Sequence, residues 1–264
     1  MIEFSQLLDF YPSELHHFKR NILREYLQYG ILASIAAVPD GTSLRFMGGT
    51  CIHFVHGSKR FSEDLDFDNS GISEDTFIGI VKSVAADLER QGYTVEYRTV
   101  VRGALRAYLR FPRILQESGI TGHREEKLDI HLDTEPQGYL YETGTFLLNK
   151  FDIFCRITVA PAALLLSQKI LCIFSRKRAM GRDFFDAAVL MGITRPDIKY
   201  LSDKAGIFSF ADLKPRLLAR CAELDFGSLA KDLSPFVFDP RDLKRVELFP
   251  DLVKQGSPGM DWVD

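Results

Sequence analysis

Apolar residues recur at steps of three and four over residues 13 to 37. Leu15, Phe18, Ile22, Tyr26 and Tyr29 fall on one stripe, and Ser13 stands where it can cap. The spacing predicts a long helix ended by Pro39-Asp40-Gly41. Residues 44 to 47 read as a short strand running into Gly48-Gly49, and residues 50 to 56 as one or two helical turns. Residues 64 to 68 alternate carboxylate and apolar, the period of a strand. A second helix is capped by Ser73, carries Glu74 and Asp75 in its first turn, is striped by Phe77, Val81, Val84 and Leu88, and stops at Gly92. Strands are expected at 93 to 101 and 104 to 111, a short helix at 112 to 119, and a third alternating strand at 127 to 133. Fainter strand patterns cover 139 to 149 and 151 to 159.

Beyond Pro161 the period changes. Residues 162 to 174, 182 to 191, 210 to 221 and 240 to 248 all predict helices, the last opened by Asp239 and Pro240. The expected fold class is therefore α+β, with a mixed sheet-and-helix domain over residues 1 to 158 and a helical domain over 159 to 264. The tail GSPGMDWVD is expected to be loose unless Trp262 docks.

Composition narrows the function. Among 264 residues no apolar run approaches the roughly 20 needed to cross a bilayer, so no membrane partner is expected. The formal net charge is −3, so any nucleic-acid site must be a local patch. The start MIEFSQLLDFYPSELHH lacks a basic stretch followed by an apolar one and does not read as a secretory signal. The four cysteines form no Cys-x-x-Cys pair, which argues against structural zinc and for free thiols in a reducing cytoplasm.

The chemistry concentrates in FMGGTCIHFVHGSKRFSEDLDFD, residues 46 to 68. On a strand Asp64, Asp66 and Asp68 share one face, while Leu65 and Phe67 point into the core. Two steps along a strand is about 6.6 Å. Like charges at that separation repel by about 2.5 kcal/mol per pair at an effective dielectric of about 20. Water, raised pKa values or a bound cation must offset this, and oxygen-only donors suit Mg²⁺ or Mn²⁺ rather than zinc. Upstream, a strand, Gly48-Gly49-Thr50 and a helix start place backbone amides and a hydroxyl where phosphate oxygens bind. An anion cradle beside a divalent-metal site describes a nucleoside triphosphate pocket.

Strand, Gly-Gly, helix and then Asp-x-Asp on the next strand resembles the signature of DNA polymerase β-like nucleotidyltransferases. The fuller set is similar to the AbiEii abortive-infection toxins and the MenT toxins of type IV-like toxin–antitoxin systems. It comprises Gly48-Gly49-Thr50, Arg60-Phe61-Ser62-Glu63-Asp64-Leu65-Asp66-Phe67, Lys169, and Arg182-Asp183-Phe184-Phe185-Asp186. The resemblance runs from about residue 46 to 192. It implies a polymerase β-like nucleotidyltransferase domain followed by a helical domain. It also implies a metal set of Asp64, Asp66 and a third carboxylate on a neighbouring strand, with Asp129 first and Asp133 second, Asp68 being an outer ligand or solvated. Gly48, Gly49, Thr50, Arg60 and Lys169 are expected at the nucleotide. Lys169, on the polar edge of its helix, would meet the triphosphate, and Asp183, ahead of Asp186, would orient Lys169 or the nucleotide.

The substrate implied is an NTP and the acceptor RNA, in particular the 3′ end of tRNA, with a cognate antitoxin as protein partner. Arg176-Lys177-Arg178 with Arg182, and the strand face of Arg106, Tyr108 and Arg110, are the cations offered to an RNA backbone. The same nucleotide pocket would also serve a small-molecule or protein acceptor, and a non-catalytic member of the fold would bind RNA or a partner alone.

Overall fold

The computed structural model describes residues 2–256 and 262. The chain divides into two compact units, Met1–Cys51 with Phe61–Val159, and Ile52–Arg60 with Ala160–Asp264. The segment 52–60 thus joins the helical unit although it lies in sequence between two elements of the sheet unit.

The first unit runs α1 (Phe4–Leu8), α2 (Lys19–Ala37), β1 (Arg45–Met47), the start of α3 (Gly48–His56), β2 (Leu65–Asp68), α4 (Glu74–Arg90), β3 (Glu96–Val100), β4 (Leu105–Pro112), α5 (Ile114–Glu117), β5 (Lys127–Glu135), β6 (Gly144–Lys150) and β7 (Ile153–Val159). Among the described residues the strands form one seven-stranded mixed sheet in the order β3-β4-β5-β2-β1-β7-β6. β2 runs antiparallel to β1 and parallel to β5. One face is apolar: Phe46, Leu65, Phe67, Leu109, Ile130 and Leu132 are all buried there. α2 packs against β5 and β7, and α4 against β3 and β4. The stripe of α4, Phe77, Ile80, Val81, Val84 and Leu88, is wholly buried, each side chain contributing about 1.5–3 kcal/mol. The opposite face is polar along β4 and β5, whose outward residues are Arg106, Tyr108, Arg110, Asp129, His131 and Asp133.

The helix expected over 13 to 37 is broken. Ser13 opens a separate 3₁₀ turn (Ser13–Leu15), and α2 starts only after Phe18. The His16 ring nitrogen Nε2 lies 3.0 Å from the carbonyls of both Leu8 and Tyr11, which ties this stretch back to α1. Ser73 does cap α4, accepting from the Thr76 amide at 3.1 Å.

The second unit contains α6 (Ala162–Ser175), α7 (Gly181–Met191), α8 (Ile198–Ala205), α9 (Phe210–Ala222), α10 (Phe226–Leu233), α11 (Lys244–Glu247) and α12 (Phe249–Gln255). α7 is central, packed against α6, α10, α11 and α12. Its Phe184 ring meets Phe226 and Phe249 edge-on at 5.1 and 5.2 Å. The segment 52–60 is stitched in by the Phe238 amide, which donates to the Lys59 carbonyl at 3.0 Å. The helix expected at 240 to 248 is a 3₁₀ turn (Pro240–Leu243) followed by α11, and Asp239 caps the turn through the Arg241 amide at 2.8 Å. In the tail, residues 257–261, 263 and 264 lie outside the described residues; the Lys214 ammonium sits 5.7 Å from the Trp262 ring centre. No helix among the described residues is long and apolar enough to cross a membrane. The four cysteines are free thiols, Cys51 and Cys221 buried and Cys155 and Cys172 half-buried.

Candidate active site

β1, the start of α3 and β2 form one local structure. The pairing sets Met47 opposite Asp66 and Phe46 opposite Phe67, so the chain leaves β1 at Gly48 directly beside Asp66. Gly48 has φ 74°, and a Cβ there would stand 2.0 Å from Asp66 Oδ2. Only glycine permits both the left-handed turn and that approach. Thr50 is buried and its hydroxyl donates to the Asp64 carbonyl, so its side chain fixes the backbone of the carboxylate strand. Asp64 and Asp66 are half-buried, while Leu65 and Phe67 anchor the strand in the core. Burial, with the Asp66 carboxylate beside it, pushes the Cys51 thiol up, so it stays protonated.

Asp68 is not an outer ligand or a solvated group. It is buried and accepts from Tyr141 Oη at 2.7 Å, from the Ser70 and Gln137 amides at 3.0 and 3.2 Å, and from Arg45 at 3.3 Å. The strand ends there in a turn that uses the carboxylate as its acceptor. β5 lies alongside β2 with Asp133 opposite Asp66, and His131 Nδ1 lies 3.4 Å from Asp64 Oδ1. The register therefore makes Asp133 the immediate neighbour of Asp66, and Asp129 lies four residues away along β5, paired with Arg110 at 3.3 Å. Asp133 is itself paired with Arg106 at 3.2 Å. The two arginines offered from sequence to RNA phosphates are thus engaged by β5 carboxylates.

Among the described residues no three His, Cys, Asp or Glu side chains are grouped so that they could hold a metal ion. In kind, the donors fit a hard divalent cation: Asp64 and Asp66 offer only carboxylate oxygens from a half-buried strand. Sequence spacing did not reveal Arg24 of α2. Its guanidinium pairs with Glu63 at 2.9 Å and lies within electrostatic reach of Asp64 and Asp129, although its own burial lowers its pKa.

In the helical unit the remaining motif residues form a buried ionic cluster. Arg60 grips Asp186 with two hydrogen bonds, Nε at 2.7 Å and Nη2 at 2.6 Å. Lys169 Nζ stands 2.9 Å from Asp186 and 3.4 Å from Asp183, and Arg176 Nε is 2.9 Å from Asp183. Two of the sequence expectations change here. Lys169 is not on a polar edge but is 9% exposed, because α7 covers that side of α6. Asp186, rather than Asp183, is its nearer partner. Asp186 also pairs with Arg60, across 126 residues of sequence. The fork of Arg60 is committed to this carboxylate. In the basic loop, Arg178 likewise pairs with Asp232 at 2.8 Å. Burial alone would raise the Asp186 pKa, but the charges of Arg60 and Lys169 reverse that and hold it below the ordinary carboxylate value. Burial likewise works against the Lys169 ammonium, and Asp186 and Asp183 outweigh it, keeping the pKa raised.

The family model for the nucleotidyl transferase AbiEii toxin, type IV toxin–antitoxin system, matches residues 30–247. The chain belongs to the AbiEii nucleotidyltransferase toxin family. The match takes in both the Gly48-to-Asp66 structure and the ionic cluster. Solved structures give the same fold. One assigned as a nucleotidyltransferase from H. pylori is 18% identical with a TM-score of 0.54, over 89% of this chain and 94% of the other. JHP933 from Helicobacter pylori is 17% identical with a TM-score of 0.53, over 89% and 92%. No curated protein matches the sequence. As an AbiEii family member the chain is a nucleotidyltransferase of a toxin–antitoxin system.

Proposed function

We propose that this AbiEii nucleotidyltransferase transfers a nucleotide from an NTP to RNA, with the 3′ end of tRNA as acceptor, in a divalent-metal-dependent reaction that a cognate antitoxin restrains. The observation that carries the reading is the carboxylate pair packed against Gly48, with the Thr50 hydroxyl fixing the backbone of Asp64. Such a pair of half-buried carboxylates, held close despite their repulsion, is a preorganised site for positive charge. In the reaction the acceptor hydroxyl attacks the α-phosphorus of the NTP. A new P–O bond forms, the α–β bridge breaks, and pyrophosphate leaves. Asp64 and Asp66, with Asp133 or Asp129 brought in as a third carboxylate, would hold Mg²⁺ or Mn²⁺, which when bound would supply charge neutralisation on the phosphates and acidify the hydroxyl. The backbone at Gly48-Gly49 is the cradle for phosphate oxygens.

The test is incubation of the purified protein with each α-labelled NTP and total cellular RNA, in Mg²⁺, Mn²⁺ or chelator, followed by a denaturing gel. A labelled band at the size of tRNA, lost with chelator, is the expected result. Asp66→Asn should reduce it at least about 100-fold in a folded protein, the scale of losing one preorganised electrostatic element. Label in protein or in a small molecule, with none in RNA, would overturn the acceptor. Undiminished transfer by a folded Asp66→Asn would overturn the site.

A further inference from the structure

The polar face of the sheet is organised in rows that run across the strands. The register aligns Arg98 on β3, Tyr108 on β4 and His131 on β5, and Asp64 follows immediately before β2. The Arg98 guanidinium lies over the Tyr108 ring at 5.3 Å. Tyr108 meets the His131 ring edge-on at 4.8 Å. His131 in turn reaches Asp64 at 3.4 Å, with 41% of its side chain exposed. The rows on either side are charged but internally matched: Arg106 with Asp133 at 3.2 Å on one, Arg110 with Asp129 at 3.3 Å and Lys127 with Glu96 at 2.9 Å on the other. The two rings are therefore an aromatic strip between two ion-paired rows, with an exposed cation at the outer end and the Asp64–Asp66 pair at the inner end. A shallow cavity of about 250 Å³, lined by Arg98, Tyr108 and Arg110 among others, opens over the outer part of the strip. That is smaller than the roughly 300–1,000 Å³ of a site for a drug-sized molecule and suits a single ring system.

Sheet order decides what the strip is for. β2 lies between β1 on one flank and β5 on the other, and the Gly48-Gly49 turn follows β1. A triphosphate cradled at Gly48 lies on the β1 flank of the carboxylates, so a group stacked on β4 and β5 approaches from the opposite flank. Tyr108 is two strands from Asp64, about 10 Å at the usual strand spacing. We infer that the Tyr108–His131 strip is the platform on which the terminal base of a single-stranded RNA acceptor stacks, with Arg98 taking a phosphate of the same strand. This rests on the RNA-acceptor reading and adds to it the residues that select a single-stranded end.

The test measures fluorescence anisotropy of a labelled RNA hairpin carrying a short single-stranded 3′ end, titrated with the full chain in the absence of NTP. A blunt hairpin serves as control, and NTP binding is measured separately by equilibrium dialysis. Tyr108→Ala should weaken binding of the single-stranded end about tenfold or more, the scale of one lost base–aromatic stack. Tyr108→Phe should stay near wild type, because the stacking face remains. Arg98→Ala should lower the salt slope of binding by about 0.7, one phosphate on a single strand. NTP binding should be unaltered in all three. Wild-type RNA affinity in Tyr108→Ala, an equal loss on the blunt hairpin, or a loss of NTP binding in its place would each overturn the platform. If the wild type labels RNA and Tyr108→Ala binds it normally, the platform falls alone. If the wild type binds no RNA, the acceptor reading falls and the platform with it.

Discussion

Replacing Gly48 by alanine probes the contact on which the carboxylate site is built. The new Cβ would lie 2.0 Å from Asp66 Oδ2 and 2.6 Å from both Asp66 Cβ and Cγ. A rotamer change could remove the Oδ2 overlap but not the overlap with Cβ, whose position the backbone of β2 fixes, so the strand itself must shift. A left-handed conformation costs an alanine about 1–2 kcal/mol, and relieving an overpacked contact costs about 1–3 kcal/mol more. The expected destabilisation is therefore about 2–5 kcal/mol, a large share of the roughly 5–15 kcal/mol that holds a typical domain. Urea unfolding followed by circular dichroism reads it as a lower midpoint at unchanged slope. A shift of β2 by about 1 Å should also cost nucleotidyl transfer about 100-fold. The steric share can be isolated by Gly48→Ala combined with Asp66→Gly, which removes all three clashing atoms. The double variant should recover about 1–3 kcal/mol relative to additivity while transfer stays lost. Additive stabilities, or a Gly48→Ala protein as stable and active as wild type, would refute the reasoning.

The ionic cluster gives two further expectations. Arg60→Ala and Lys169→Ala should each destabilise by about 3–5 kcal/mol in urea, because each leaves the wholly buried Asp186 short of a partner; a change below about 1 kcal/mol in either would mean that the cluster is not held as described. The pH dependence follows from the sign of the shifts. Asp186, depressed in the folded state, contributes stability above the unfolded carboxylate value of about 3.9 and loses it as pH falls through its lower folded value. Lys169, raised, contributes below about 10.4 and loses that as pH rises through its higher folded value. Urea midpoints across the acid range should therefore flatten in Asp186→Asn, even though that variant starts less stable at neutral pH. An unchanged acid slope would remove Asp186 as its source.

What the sequence disclosed and what it hid divide along the range of the forces involved. The period of two at residues 64 to 68 and the stripe of α4 reflect burial on one face, a local requirement, so β2 and α4 were legible residue by residue. So was the neighbourhood of Gly48 and the carboxylates, because a turn that only glycine tolerates sits within 18 residues of Asp66. Lys169 was misjudged for the converse reason. On a helix apolar on most sides a lysine looks like its exposed edge, and nothing nearby in sequence indicates that Asp183 and Asp186 converge to neutralise it while Arg60 shares Asp186. Asp186 takes the bidentate fork of a residue 126 positions away. A buried carboxylate is driven toward the partner that satisfies both its oxygens, and proximity along a helix counts for little against that. The same distinction governs the third carboxylate. Alternation along β5 put Asp129 and Asp133 on one face equally well, and only the register with β2, set by hydrogen bonds between strands, brings Asp133 beside Asp66. Strand register also turned Arg106 and Arg110 from free cations into partners of β5 and left Tyr108 and His131 as the aromatic strip between them. The residues proposed to meet the acceptor are thus those whose role depends most on tertiary pairing, and a variant at Tyr108 tests that pairing more directly than one at any motif residue.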